Sequence, residues 1–257
     1  MRVSPRSLPT LALALLVFAP LATGCEAAVS LSGLEGGCPR KPGASLVKIT
    51  SGDRPFCIDS TEATNAEYAQ FLASGFTLNA DKIPDGCADD TDHTPSDHWP
   101  PAPGYDDFPV QYVDWCQASA YCAWTGKRLC GAIDGGPLAA TNFTNAKVSQ
   151  WLCACSDHGA TTYPYGNDFD ANACAGSDLS IVASHPACVG SVSGLYDMSG
   201  NVWEWTDTCA SSDPTAFCDA MGGAFDSVAA DFPCAGERNW TRTASSANIG
   251  FRCCLDL

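Results

Sequence analysis

Basic side chains are scarce in this sequence: Lys and Arg number 13 against 29 Asp and Glu, a formal net charge of −16 over 257 residues. A surface so acidic repels nucleic acid and anionic membrane, and it suits calcium or cationic partners. Also missing is the pair of CxxC knuckles that would mark a zinc site; CAC at 153–155 and the adjacent Cys253 and Cys254 have the wrong spacing. There is no internal repeat and no low-complexity tract. No regular alternation of strand and helix patterns is present, which disfavours a βαβ array.

Cysteine, by contrast, is abundant, with 16 residues. So many thiols do not suit a reduced compartment and read as a disulfide framework. Residues 1–24 read as an export signal: Arg2 and Arg6, the apolar run 11–18, then small residues up to Gly24. LATGC resembles a lipoprotein signal in which Cys25 becomes the lipidated N-terminus, with ordinary secretion as the alternative. The expected location is periplasm or outer membrane as a lipoprotein, or the medium, with the membrane touched only through the lipid anchor. Removal of 1–24 takes two arginines and no acids, leaving 11 bases against 29 acids, or −18. Setting Cys25 aside leaves fifteen cysteines, an odd number, so one free thiol or an intermolecular pair is expected. Cys254 is one candidate for that thiol, although a structural bond suits it better.

Residues 25–45, rich in Gly and Pro, read as a tether, and residues 46–257 as one domain. LVKI at 46–49 and PFCID at 55–59 read as strands around a turn at 51–53. Thr64 and Glu67 form a capping box for a helix with Tyr68, Phe71 and Leu72 on its apolar face, closed at Gly75. Residues 81–107 are polar and proline-rich and read as a long surface loop, where Asp92, His93, Asp97 and His98 could gather a metal but are more simply solvated. A second helix runs from Asp114 to Gly126, with Trp115, Ala118, Ser119 and Cys122 on one face and Cys116 on another. Residues 131–144 read as a loop insertion, followed by a third helix with Val148, Trp151, Leu152 and Cys155 at helical spacing. The remainder is short and turn-bounded. This pattern predicts one α+β domain with little regular structure, stapled by disulfides.

The densest stretch is GLYDMSGNVWEWTD at 194–207, where Tyr196, Trp203 and Trp205 alternate with Asp197, Glu204 and Asp207. It offers core anchors and oxygen ligands in one segment. Together with FCIDSTEATNAEYAQF, PVQYVDWCQASAYCAWTGKRL, YPYGN, GGAF at 222–225 and NIGFRC at 248–253, it resembles, in order, the formylglycine-generating enzymes, also called sulfatase-modifying factors. The resemblance spans 46–252.

It implies a C-type-lectin-like α+β fold, bound calcium and, in authentic enzymes, copper- and oxygen-dependent oxidation of a sulfatase cysteine to formylglycine. The implied calcium ligands are Asp197, Gly200, Val202 and Glu204, a set of carboxylates and turn carbonyls that suits a hard cation. A second calcium site would begin at Asn172 and Ala173, with Asp178 a further candidate. The implied disulfides are Cys122 with Cys253 and Cys155 with Cys234. Proximity alone suggests Cys174 with Cys188 and Cys209 with Cys218.

The catalytic pair does not carry over. Where the family holds copper(I) between two cysteines, this sequence has Ser227 and Phe232, and a serine expected after the two glycines is Ala224. A hydroxyl and a phenyl ring cannot replace two thiolates at a soft ion, so copper is not expected and no residue is assigned a catalytic role. The leading expectation is a calcium-stabilised binding protein for an extracellular or periplasmic peptide, protein or glycan. A divergent metal-dependent oxidoreductase is the alternative, although His93, His98, His158 and His185 show no HxxxEH-type spacing. A third possibility is a formylglycine-generating oxidase working through the unpaired thiol.

Overall fold

The computed structural model describes Met1 and residues 34–257 other than 36, 53, 80, 81, 89, 175, 176 and 191. Two units divide the chain, Met1–Ser32 and Gly33–Leu257; the second holds the fold. The expected export signal and Cys25 lie outside the described residues.

The strands are Leu34–Glu35 (β1), Cys38–Pro39 (β2), Leu46–Ile49 (β3), Phe56–Asp59 (β4), Arg128–Leu129 (β5), Trp203–Cys209 (β6), Phe217–Met221 (β7), Glu237–Thr241 (β8), Ile249–Phe251 (β9) and Cys253–Asp256 (β10). The helices are Asn65–Ala73 (α1), Trp115–Trp124 (α2) and Gln150–Cys155 (α3). β1 and β2 form a small ribbon, and two four-stranded sheets run in the orders β3-β4-β10-β5 and β8-β7-β6-β9. Every pairing is antiparallel except β6 with β9. This is the mixed α+β fold with little regular structure that the sequence predicts. All four residues of β4 are buried, as befits an internal strand, whereas β8 puts Glu237, Arg238 and Asn239 along an edge.

The helices begin where their caps dictate. Thr64 and Glu67 make the reciprocal bonds of a capping box at α1, and Asp114 and Gln117 do the same at α2. Gly75 and Gly126 follow in the left-handed conformation that ends each helix, with φ of 63° and 71°. α3 is shorter than its apolar spacing suggests: Val148 precedes it, because Ser149 is the N-cap and its hydroxyl accepts from the Leu152 amide. The expected insertion at 131–144 contains a 3-10 turn, Ala140–Asn142. The described part of the expected tether is fastened to the domain by the disulfide Cys38–Cys57.

Two apolar clusters form the core. One places Tyr68, Phe71, Tyr121, Trp203, Trp205 and Phe251 between α1, α2 and the second sheet, with Tyr68 stacked on Tyr121 at 5.6 Å. The other surrounds Trp151 and Leu152 of α3 with Leu195, Met198 and Met221. Cys122–Cys253 and Cys155–Cys234 tie α2 and α3 to the later part of the chain, as the resemblance implies. Cys174–Cys188 and Cys209–Cys218 are also formed. Cys87–Cys116 anchors the long loop to α2, and Cys130–Cys254 removes Cys254 from consideration as the free thiol. Among the described residues the unpaired cysteine is Cys153, buried in α3.

Candidate functional site

Residues 194–207 turn sharply before entering β6. Asp197, Gly200 and Asn201 adopt positive φ of 57°, 86° and 59°, which folds the backbone around a buried group of acids. Asp197 accepts from the Ala183 amide at 2.5 Å. Asn201 donates to one oxygen of Glu62 at 2.9 Å; the other Glu62 oxygen is buried without a hydrogen bond, 4.0 Å from Arg252 Nη2. Gly200 and Val202 are buried between them.

Glu204 is differently engaged. Its carboxylate accepts from Arg252 Nε and Nη2 at 2.7 and 2.6 Å, and from Trp151 Nε1 at 2.7 Å. Arg252 also donates to the carbonyls of Asp59 and Tyr196. Three buried acids thus surround one guanidinium, an excess of negative charge. Burial pushes the Glu62 carboxyl well above its ordinary range, with the charge of Asp197 adding to it, and burial raises Asp197 to about 6.

The donor set fits a hard cation in part. The orphaned Glu62 oxygen and Asp197 are the right chemistry, and the surplus charge calls for compensation. Glu204, committed to Arg252, does not offer a vacant oxygen in this arrangement. Glu62 escapes sequence reasoning because a lone acid before a capped helix has no local signal; only its contact with Asn201, 139 positions away, marks it.

At the second expected calcium site, the Asn172 amide groups donate to Asp170, Ala173 is buried, and Asp178 bonds its neighbour Ser177. Among the described residues, three or more His, Cys, Asp or Glu ligand atoms gather only at Asp90, Asp114 and Cys116, where the sulfur belongs to a disulfide. Asp92, His93, Asp97 and His98 form no such group: Asp92 bonds the Thr94 amide and Asp97 the His98 amide.

The copper positions are filled by other chemistry. The Ser227 hydroxyl accepts from the Ala224 amide at 2.9 Å. Phe232 is 4% exposed and stacks on Phe169 at 5.8 Å. Cys234, the nearest cysteine in sequence, is held by Cys155. No thiolate pair is available, and copper does not fit.

An open cleft of about 210 Å³ is lined by residues between 65 and 112. His98 and Tyr112, both at positive φ, stack at 5.0 Å along one wall, and Trp99 and Tyr105 complete the aromatic lining. Asn65, Gln111 and Asp97 supply polar groups; Asn65 is fixed by donating to the Tyr105 carbonyl at 2.9 Å. Residues 245–248 join cleft and loop. Ser245 bonds Ser96, the Ser246 carbonyl accepts from Tyr112, Gln111 donates to Ala247, and Asn248 donates to Asp226 at 3.0 Å. Flat rings with a few hydrogen-bonding groups suit sugar faces and extended peptide.

Comparison with known proteins agrees with the fold. The chain is 26% identical over 248 residues to the formylglycine-generating enzyme of Bos taurus, covering 78% of this chain and 66% of that protein. It is 29% identical over 171 residues to the inactive C-alpha-formylglycine-generating enzyme 2 of Bos taurus, covering 57% and 50%. It is 31% identical over 174 residues to the serine/threonine-protein kinase Pkn1 of Chlamydia trachomatis, of which it spans a quarter of the length. PvdO from Pseudomonas aeruginosa shares the fold, with a TM-score of 0.53 at 19% identity over 84% of this chain and 92% of that one. CarF does likewise at 0.52 and 20%, over 85% and 98%. The model of the sulfatase-modifying factor enzyme 1-like domain matches residues 42–257, and the chain belongs to that family.

Proposed function

We propose that this protein is a non-catalytic, calcium-stabilised binding protein of the cell envelope, anchored through a lipid on Cys25. Its ligand is an extracellular or periplasmic peptide, protein or glycan held in the cleft of Trp99, Tyr105 and Tyr112. The observation that carries this reading is Phe232, which stands where the resemblance implies the second copper cysteine and packs on Phe169, while a cleft lined by other residues stays open. A relative described as inactive supports the same direction. Calcium is assigned to the acid group at 194–207, with Asp197 and Glu62 supplying carboxylate oxygens and the turn carbonyls the rest; the ion would neutralise their surplus charge.

Metal analysis and peptide turnover test this together. The purified chain is expected to carry calcium without stoichiometric copper or iron, and to leave a CxPxR peptide unmodified by mass spectrometry. Tight copper at one equivalent, or a formylglycine product, would sink the proposal. Screening against a glycan array and a peptide library is expected to give a ligand whose binding is lost in Trp99→Ala.

A further inference from the structure

A second cavity, of about 410 Å³, opens where α2 and the end of β6 meet the long loop, and it shares no lining residue with the cleft. Four basic residues line it, an unusual concentration in so acidic a chain. Two of them are already neutralised. Lys127 is paired with Asp59 at 2.5 Å, and Arg128 grips both oxygens of Asp256 at 2.9 and 2.7 Å. The remaining charges are Lys82 and Arg242 against Asp85 and Asp207.

Arg242 is 3% exposed and lies over the Trp115 ring at 4.4 Å. One Nη donates to the Ser211 carbonyl at 2.9 Å, Nε is buried against Gly86, and the guanidinium makes no other hydrogen bond to the protein. Asp207 has no side-chain hydrogen bond on the protein, and burial pushes its carboxyl up to about 6 against the pull of Arg128 and Arg242. One cavity is therefore lined by a guanidinium and a carboxylate that attract one another without sharing a hydrogen bond, with Ser211 and Ser212 beside them.

The balance of charge selects the ligand. A simple anion would meet Arg242 and be repelled by Asp207 and Asp85, and a simple cation would suffer the reverse. A neutral sugar would leave both charges desolvated and unpaired. We infer that this cavity binds a free α-amino acid, its carboxylate on Arg242 and its ammonium on Asp207.

Calorimetric titration of the full chain with each of the common α-amino acids, at neutral pH, tests the inference. At least one is expected to bind one to one. Its N-acetyl derivative and its amide, each lacking one charge, are each expected to bind about tenfold or more weaker, as is the parent to Asp207→Asn. The ligand derivatives act on the unaltered protein, so the test survives a variant that fails to fold. Absence of binding by any amino acid would overturn the inference. So would derivatives that bind as well as the parent, or saturation by inorganic phosphate or 1,4-diaminobutane that displaces the amino acid.

Discussion

Cys153 is the thiol left over when fourteen cysteines pair. It is 1% exposed, its sulfur lies 3.0 Å from His158 Nδ1, and burial pushes its pKa up. A buried, protonated thiol is inert. A chain beginning after Cys25 is therefore expected to release one equivalent from an aromatic disulfide reagent when denatured without reductant and almost none when native; prompt reaction of the native protein would contradict the burial. Cysteine parity reveals that a thiol is unpaired but not which. CAC places Cys153 and Cys155 on different faces of α3, and only the tertiary position of Cys234 decides between them.

Asp219 carries a second test at this scale. Burial, then the nearby charge of Glu237, pushes its carboxyl to about 7. An unfolded Asp titrates near 3.9, so between about pH 4 and 7 the folded chain keeps a proton that the unfolded chain has lost. Stability from this group is present below about pH 4 and fades as pH rises through about 7. Asp219→Asn is expected to raise stability at pH 8 and to flatten the slope between pH 4 and 7, measured by denaturant titration.

Among the elements, those with local rules were legible. Thr64 with Glu67 announced α1, the glycine after each of the first two helices announced its end, and β3 and β4 stood out as short apolar runs. The sheet orders were not. β10 inserts between β4 and β5, and β9 runs parallel to β6, pairings that join distant segments and leave no periodic trace. The disulfide Cys122–Cys253 was accessible only through resemblance. It closes a separation of 131 residues. Replacing both cysteines by alanine is expected to cost about 3 to 5 kcal/mol, seen as a fall in Tm of about 10 °C by calorimetry. The acids around Arg252 were half legible. The turn at 194–207 advertised Asp197 and Glu204, but the engagement of Glu204 by Arg252 and the orphaned oxygen of Glu62 depend on side chains brought from opposite ends of the domain.

The whole molecule is dominated by its acidity. A net charge of −16 repels itself, and salt screens that repulsion over a Debye length of about 10 Å at 0.1 M. Raising sodium chloride from about 20 mM to about 500 mM is expected to raise Tm by a few degrees; a fall would mean that attractive ion pairs outweigh the repulsion. Fold class and family were readable from composition and motif order, because six motifs in sequence constrain a topology that periodicity cannot. The cleft was not, because much of its wall comes from a loop without apolar period, held in place by hydrogen bonds to residues 245–248.

Residues 252–254 gather what the rest of the chain leaves apart. Arg252 neutralises Glu204, Cys253 bonds α2, Cys254 bonds the segment after β5, and β10 completes the first sheet between β4 and β5. On a ribosome these three residues are made after everything they fasten. The nascent chain therefore has no route to its closed core while it is being extended, and remains a threadable polymer until synthesis has passed them. Late closure of this kind leaves a long interval of synthesis before the disulfides that these residues anchor can form.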